Sequence, residues 1–184
     1  MHKKLNKKVA LKIYEKEKIK DIQRKKSVRR EIRLMKRLNH PHIATLYEAI
    51  ETEDQVILVL EYVPGGSTHG FLKSKPNRRM AEDDARKIYK QLMNALNYLH
   101  GKCIAHRDIK LENVMLDERK QVKLIDFGFS TCISNEQKIK MFCGTPSYMA
   151  PEIRENKIYD GRQVDVFSTG VVLFLIVHGT FPFS

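Results

Sequence analysis

His106-Arg107-Asp108-Ile109-Lys110-Leu111-Glu112-Asn113 is the stretch on which the reading of this chain turns, and Asp126-Phe127-Gly128 follows thirteen residues after its Asn. The first run sets out a carboxylate, a cation two residues later and a side-chain amide three further. The second run adds another carboxylate. A carboxylate can take a hydroxyl proton, a lysine can offset negative charge, and amide and carboxylate oxygens can hold a hard cation. Phosphoryl transfer asks for that set, because its catalysis is positioning and charge neutralisation rather than covalent chemistry. Each fragment alone has a bland reading: a lone Asp-Phe-Gly is usually a turn, and a lone strand lysine is usually solvated. Their order and spacing together argue against coincidence.

Working outward, Val114-Met115-Leu116 and Val122-Lys123-Leu124-Ile125 are short apolar runs joined by a polar turn, so they predict a hairpin between the two motifs. Loops would then carry the chemistry and the hairpin would fix their separation. Upstream, Glu82 to His100 predicts a long helix. Ala85, Ile88, Tyr89, Leu92, Leu96 and Leu99 form its inner face, acids sit in its first turn, and Gly101 serves as a stop. Lys73 to Arg79 reads as a polar loop around Pro76. Gln55 to Tyr62 is a near-continuous apolar strand that Pro64-Gly65-Gly66 breaks. Asp21 to Leu38 predicts a helix whose apolar stripe is Val28, Ile32, Met35 and Leu38, with Glu31 beside it. Val9, Leu11 and Ile13 alternate with Ala10, Lys12 and Tyr14, which predicts a strand carrying Ala10 and Lys12 on one face. A small residue beside a lysine leaves room there for a flat ring next to a cation. Downstream, Val164 to Val177 is apolar nearly all round and predicts a central, buried helix.

Composition sets the limits. The chain has 184 residues, 42% of them apolar, enough for one globular domain or parts of two small lobes. Its three cysteines, Cys103, Cys132 and Cys143, fit neither a disulfide framework nor a zinc site, which points to a reducing intracellular compartment, cytoplasm or nucleus. The start, His2 to Lys8, is too polar for a signal peptide, and the apolar run Val171 to Val177 is too short to span a bilayer. The net charge of +12 is uneven: residues 1–40 hold 16 Lys and Arg against 4 Asp and Glu, and the rest hold 18 of each. Such a block can contact nucleic acid or an acidic membrane. No aromatic side chain is interleaved with the basic cluster between Lys16 and Arg37, so the stacking half of a single-strand binding surface is missing. A solvated helix face is the simpler reading, and nucleic acid is not expected as a partner.

These motifs together resemble a eukaryotic protein kinase catalytic domain. Val9-Ala10-Leu11-Lys12 matches the strand-lysine motif, and Glu31, nineteen residues on, matches the helix glutamate that pairs with it. His106 to Asn113 matches the catalytic loop, Asp126-Phe127-Gly128 the metal motif, and Ala150-Pro151-Glu152 the end of the activation segment. Asp165 resembles the aspartate that anchors the catalytic loop. Lys110 and Gly144-Thr145-Pro146-Ser147-Tyr148 resemble the serine/threonine branch. The overall wording looks similar to the calcium/calmodulin-dependent and AMP-activated kinase group. The resemblance implies an α+β, two-lobed fold, with residues 1–63 as small lobe and hinge and 64–184 as the start of the large lobe.

The same resemblance implies the roles. Asp108 and Lys110 are catalytic, Asp108 orienting the substrate hydroxyl and Lys110 neutralising charge on the moving phosphoryl group. Asn113 and Asp126 hold Mg²⁺. Lys12 contacts the ATP α/β-phosphates and Glu31 holds Lys12. Backbone groups of Glu61 and Val63 bond the adenine edge, while Ala10 and Met115 sandwich the ring. Met35, Leu46, His106 and Phe127 stack to link the lobes. The partners implied are ATP and a protein with a Ser or Thr acceptor; a kinase-like scaffold without catalysis is the alternative.

Three departures stand out. No Gly-rich loop precedes Lys12, and the sequence stops at Phe181-Pro182-Phe183-Ser184 before the family's later helices. Interior motifs are intact while the ends depart, so the sequence reads as a fragment with reduced or no activity of its own. Third, Met141 stands where many relatives carry a phosphorylatable Thr, although Arg107, which would clasp the phosphate, is present. Two outcomes are open: another acceptor serves, with Ser130, Thr131 and Ser134 the hydroxyls earlier in the segment, or Met141 packs into the apolar surroundings of Phe142 and holds the segment without phosphate, which is the preferred expectation. In addition to these three, Ser67 stands where many relatives place an acid for the ribose.

Overall fold

The structure is a computed structural model that describes residues 6–134 and 138–183; the polar start read at 2–8 lies partly outside them, as does Ser184. Strand β1 (Val9–Glu15) alternates as its sequence predicts. Lys12 and Tyr14 turn inward, while Leu11 and Ile13 stand 56% and 50% exposed on the opposite face. Helix α1 (Ile22–Met35) starts where Asp21 accepts a hydrogen bond from the Arg24 N–H at 3.0 Å, satisfying one of the four unpaired donors of a helix start. It ends three residues earlier than expected. Val28, Glu31, Leu34 and Met35 form its buried face, and Leu38 is buried in the turn beyond it.

Strand β2 (Leu46–Glu51) was not legible in the sequence. Its pairing with β3 (Gln55–Glu61) shifts register between Leu46 and Glu48, and that irregularity breaks the period of two. The three strands form an antiparallel sheet in the order β1-β3-β2, with Lys12 opposite Leu58 and Val9 opposite Glu61.

A short helix, α2 (Thr68–Lys73), follows Pro64-Gly65-Gly66 and is capped by the Ser67 hydroxyl, which accepts from the Gly70 N–H at 3.2 Å. Within the stretch read as loop, Pro76–Arg78 makes a tight turn in which Asn77 and Arg78 take left-handed φ of 57° and 54°. Helix α3 (Glu82–Gly101) has no side-chain cap at Ala81, but Glu82, Asp83 and Asp84 in its first turn suit the positive end of its dipole. Leu92, Leu96 and Leu99 are at most 1% exposed. Burial of each contributes about 2 kcal/mol, beside which the exposed Glu82–Arg86 pair adds little. Gly101 is the last residue of the helix rather than the one after it, Lys102 caps the end, and the chain reverses at Cys103, whose φ is 56°.

Strand β4 (Ile104–Ala105), the hairpin β5 (Val114–Leu116) and β6 (Val122–Leu124), and β7 (Thr131–Cys132) follow, with β4 paired to β7 and β5 to β6, all antiparallel. After the short α4 (Pro151–Arg154) comes α5 (Gly161–His178), opened by the Asp160 side chain and closed by Gly179 at φ 79°. On composition α5 is long and apolar enough to cross a membrane. In the fold one of its faces is buried, including Asp165, Val172 and Ile176, whereas Val166 is 51% exposed. The expected all-round burial of this helix is therefore corrected: among the described residues α5 is covered on one side. One contiguous core joins Leu34, Met35 and Leu58 to Leu92, Leu99, Phe127 and Val172, so α1 and β3 share an interior with the helices that follow them.

Candidate active site

Residues 106–113 cross between β4 and β5, and α5 fixes where they start. The carboxylate of Asp165, 1% exposed, accepts the His106 N–H at 2.9 Å and the Arg107 N–H at 2.7 Å. His100 Nε2 lies 3.0 Å from the same carboxylate. Arg107 needs this support, since its φ of 66° is left-handed and costs a non-glycine residue free energy. The next turns of the loop fold onto Asp108. Asn113 Nδ2 donates to the Asp108 carbonyl at 2.8 Å and to its Oδ2 at 3.0 Å. Lys110 Nζ lies 2.8 Å from Asp108 Oδ2 and donates to Thr145 Oγ1 at 2.9 Å. Thr145 in turn donates to Asp108 Oδ1 at 2.9 Å. Asp108 is thus a buried carboxylate with donors on both oxygens, aimed by its own loop and by one hydroxyl from the later segment.

The second group of side chains comes from three distant parts of the sequence. Lys12 Nζ, on β1, reaches Glu31 Oε1 of α1 and Asp126 Oδ1, each at 2.7 Å. Burial alone would pull the Lys12 ammonium down, but the charges of Glu31 and Asp126 push it above its usual value. Burial likewise pushes the Asp126 carboxyl up, and Lys12 outweighs it and holds the group below the carboxylate range. Asp126 has a left-handed φ of 61°, and Gly128 packs so closely that a Cβ there would sit 3.2 Å from Asp126 Oδ1. The bonds from Lys12 and from the Gly128 N–H both go to Oδ1, so Oδ2 is the oxygen a cation would take. Asn113 turns its Nδ2 toward Asp108, which points its amide oxygen elsewhere. Two oxygen donors of this kind fit Mg²⁺, which keeps several waters and binds phosphate oxygens rather than filling an all-protein cage. Among the described residues there is no cluster of three His, Cys, Asp or Glu side chains that would hold a metal by itself.

Of the residues expected around a base, Glu61 commits its N–H to the Thr45 carbonyl at 2.9 Å, and its carboxylate pairs with Lys123 at 2.7 Å. Val63 is buried just past the strand end. Ala10 and Met115 are both half-buried, Ala10 opposite Leu60 in the β1–β3 ladder and Met115 opposite Lys123 in the hairpin. Leu46 packs against the core that holds Met35 and Phe127, and the rings of His106 and Phe127 meet edge-on at 5.0 Å.

The expectation for Met141 needs correction. Met141 and Phe142 are 45% and 60% exposed, so Met141 is not packed into an apolar setting around Phe142. Its sulfur instead lies 3.5 Å from Arg107 Nη1. Arg107, 5% exposed, also donates to the Phe129 carbonyl at 2.8 Å and to the Tyr159 hydroxyl at 3.4 Å. Tyr159 donates to the Met141 carbonyl at 2.8 Å, and its phenol is pushed up to about 12 chiefly by burial. Neutral acceptors therefore hold this guanidinium against the segment. Tyr14 and Tyr159 went unread as site residues, because nothing local to either position signals that the fold brings it there.

Comparison with known proteins gives one consistent result. The protein kinase domain family matches residues 1–184. The serine/threonine-protein kinase SIK3 homolog of Danio rerio is 46% identical over 177 residues, covering 96% of this chain and 15% of that protein. The NUAK family SNF1-like kinase 2 of Rattus norvegicus is 43% identical over 176 residues, 96% of this chain and 28% of its own length. The NUAK family SNF1-like kinase 1 of Homo sapiens is 39% identical over 176 residues, 96% of this chain and 26% of its own. The chain thus spans less than a third of each of these curated relatives.

Proposed function

The chain belongs to the protein kinase domain family, and from that premise we propose that the protein carrying it transfers the ATP γ-phosphoryl group to Ser or Thr hydroxyls of other proteins. The observation that carries this reading is the convergence of Lys110, Asn113 and Thr145 on Asp108, each with a polar atom within 3.0 Å of its carboxylate, beside a Lys12 bridging Glu31 and Asp126. A carboxylate offers about four lone-pair positions, so Asp108 can accept a substrate hydroxyl beside its present donors and take its proton. Lys110 stands where it can offset charge on the transferred group. Lys12, held by Glu31, exchanges its contact with Asp126 for phosphate oxygens when nucleotide enters. Asn113 and Asp126 supply the oxygens for Mg²⁺, which when bound neutralises phosphate charge.

The finer parts of the reading are proposals too. Backbone groups of Glu61 and Val63 would bond the adenine edge, with Ala10 and Met115 on either face of the ring. We take residues 1–63 as small lobe and hinge and 64–184 as the larger part. The sheet's end at Glu61 supports this, as does Gly65, where a Cβ would lie 2.4 Å from the Leu116 carbonyl oxygen. An intracellular site, cytoplasm or nucleus, suits three free cysteines, two of them exposed. The test is transfer of labelled γ-phosphate by the full-length protein to a library of Ser/Thr peptides. Label on serine or threonine is the expected result; ATP binding without any transfer would favour a kinase-like scaffold instead.

A further inference from the structure

The kinase motifs do not account for Tyr14. It lies two residues after Lys12 on the inward face of β1, and its hydroxyl donates to Glu31 Oε2 at 2.5 Å. Lys12 holds the other oxygen, Oε1, at 2.7 Å. Glu31 is 1% exposed, so water cannot satisfy an oxygen that the protein leaves unpaired. A buried carboxylate is tolerated only when its cation is in place and its remaining lone pairs are bonded. Tyr14 meets the second condition without adding a charge that would compete with Lys12. Its ring also backs the ammonium, with Lys12 Nζ 5.4 Å from the ring centroid. Burial, then the charge of Glu31, pushes the phenol well above its usual range, so the hydroxyl stays a donor throughout neutral pH.

We infer that Tyr14 is a positioning residue: by occupying the second oxygen of Glu31 it fixes that carboxylate, and through it the angle of α1 and the aim of Lys12. With both oxygens engaged the carboxylate cannot rotate, and Lys12 is presented between α1 and Asp126. This rests on the proposed role of Lys12 at the nucleotide phosphates.

The experiment compares the full-length protein with Tyr14→Phe, Glu31→Gln and the double variant by calorimetric titration with Mg²⁺-ATP, alongside peptide kinetics. Tyr14→Phe keeps the ring and orphans one buried acceptor, so the dissociation constant for ATP is expected to rise about tenfold, while KM for peptide stays unchanged. In the Glu31→Gln background the same change is expected to do nothing further, because its target carboxylate is already gone. Replacing Tyr14 by 3-fluorotyrosine, which keeps the ring and the hydroxyl, should leave ATP affinity within about twofold. Unchanged affinity in Tyr14→Phe, an equal loss in both backgrounds, or a Phe-like loss in the fluorotyrosine protein would each overturn the inference alone. Failure of the unaltered protein to bind ATP would overturn the kinase reading and this inference with it.

Discussion

The two halves of the site are held together by different physics. Asp108, Lys110 and Asn113 lie within six residues of one another, and their geometry is written by one loop that Asp165 anchors from below. Lys12, Tyr14, Glu31 and Asp126 come from a strand, a helix and a distant turn, and only tertiary packing brings them to 2.7 Å or less. The first half is a rigid fixture. The second depends on packing between segments distant in sequence, so anything that shifts α1 acts on Lys12 first and on Asp108 last.

The largest effect expected from this contrast is on stability. Asp165→Ala strands the buried N–H groups of His106 and Arg107, and should cost about 3 kcal/mol in a urea melt. Glu31→Ala should cost less, about 1–2 kcal/mol, since Lys12 is 30% exposed and keeps Asp126. A larger loss from Glu31→Ala would reverse the assignment of which half contributes more to stability.

A smaller effect sharpens the fixture itself. Thr145→Val removes the hydroxyl that joins Asp108 to Lys110, and kcat should fall about tenfold with ATP affinity unchanged, while Thr145→Ser restores it. A change confined to ATP binding would move Thr145 into the other half.

The smallest effect is a pH dependence. Asp126 is held below its ordinary value of 3.8, so its contribution is fully present above that value and disappears as pH falls through the lower, folded value. The Tm difference between the unaltered protein and Asp126→Asn should therefore be constant near neutrality and shrink below about pH 4. A difference that grows on acidification would mean that the Lys12–Asp126 pair contributes no stability.

The same contrast explains what the sequence disclosed. The loop half was legible because its residues are near neighbours and their spacing is its geometry. The pairing of Lys12 with Glu31 was legible only through resemblance and its contact with Asp126 was not read, since nothing local ties a lysine in a strand to a turn more than a hundred residues later. Strands and helices followed their patterns where burial was one-sided and periodic, as in β1, α1 and α3. Strand β2 hid behind a register shift and two glutamates, and α2 is too short for a period to show. Tyr14 read as one more inward strand residue because its role depends on where α1 places Glu31. Tyr159 was hidden for the same reason, its partners Arg107 and Met141 being far away in sequence.

The central claim is that one half of the site handles the hydroxyl and the other the nucleotide, and steady-state kinetics of Asp108→Asn beside Lys12→Met in the full-length protein test it most directly. For Asp108→Asn the account predicts a fall in kcat of about a thousandfold or more with calorimetric ATP affinity retained. For Lys12→Met it predicts that ATP affinity is lost as well. Turnover by Asp108→Asn equal to that of the unaltered protein, or the same loss of ATP binding in both variants, would contradict it.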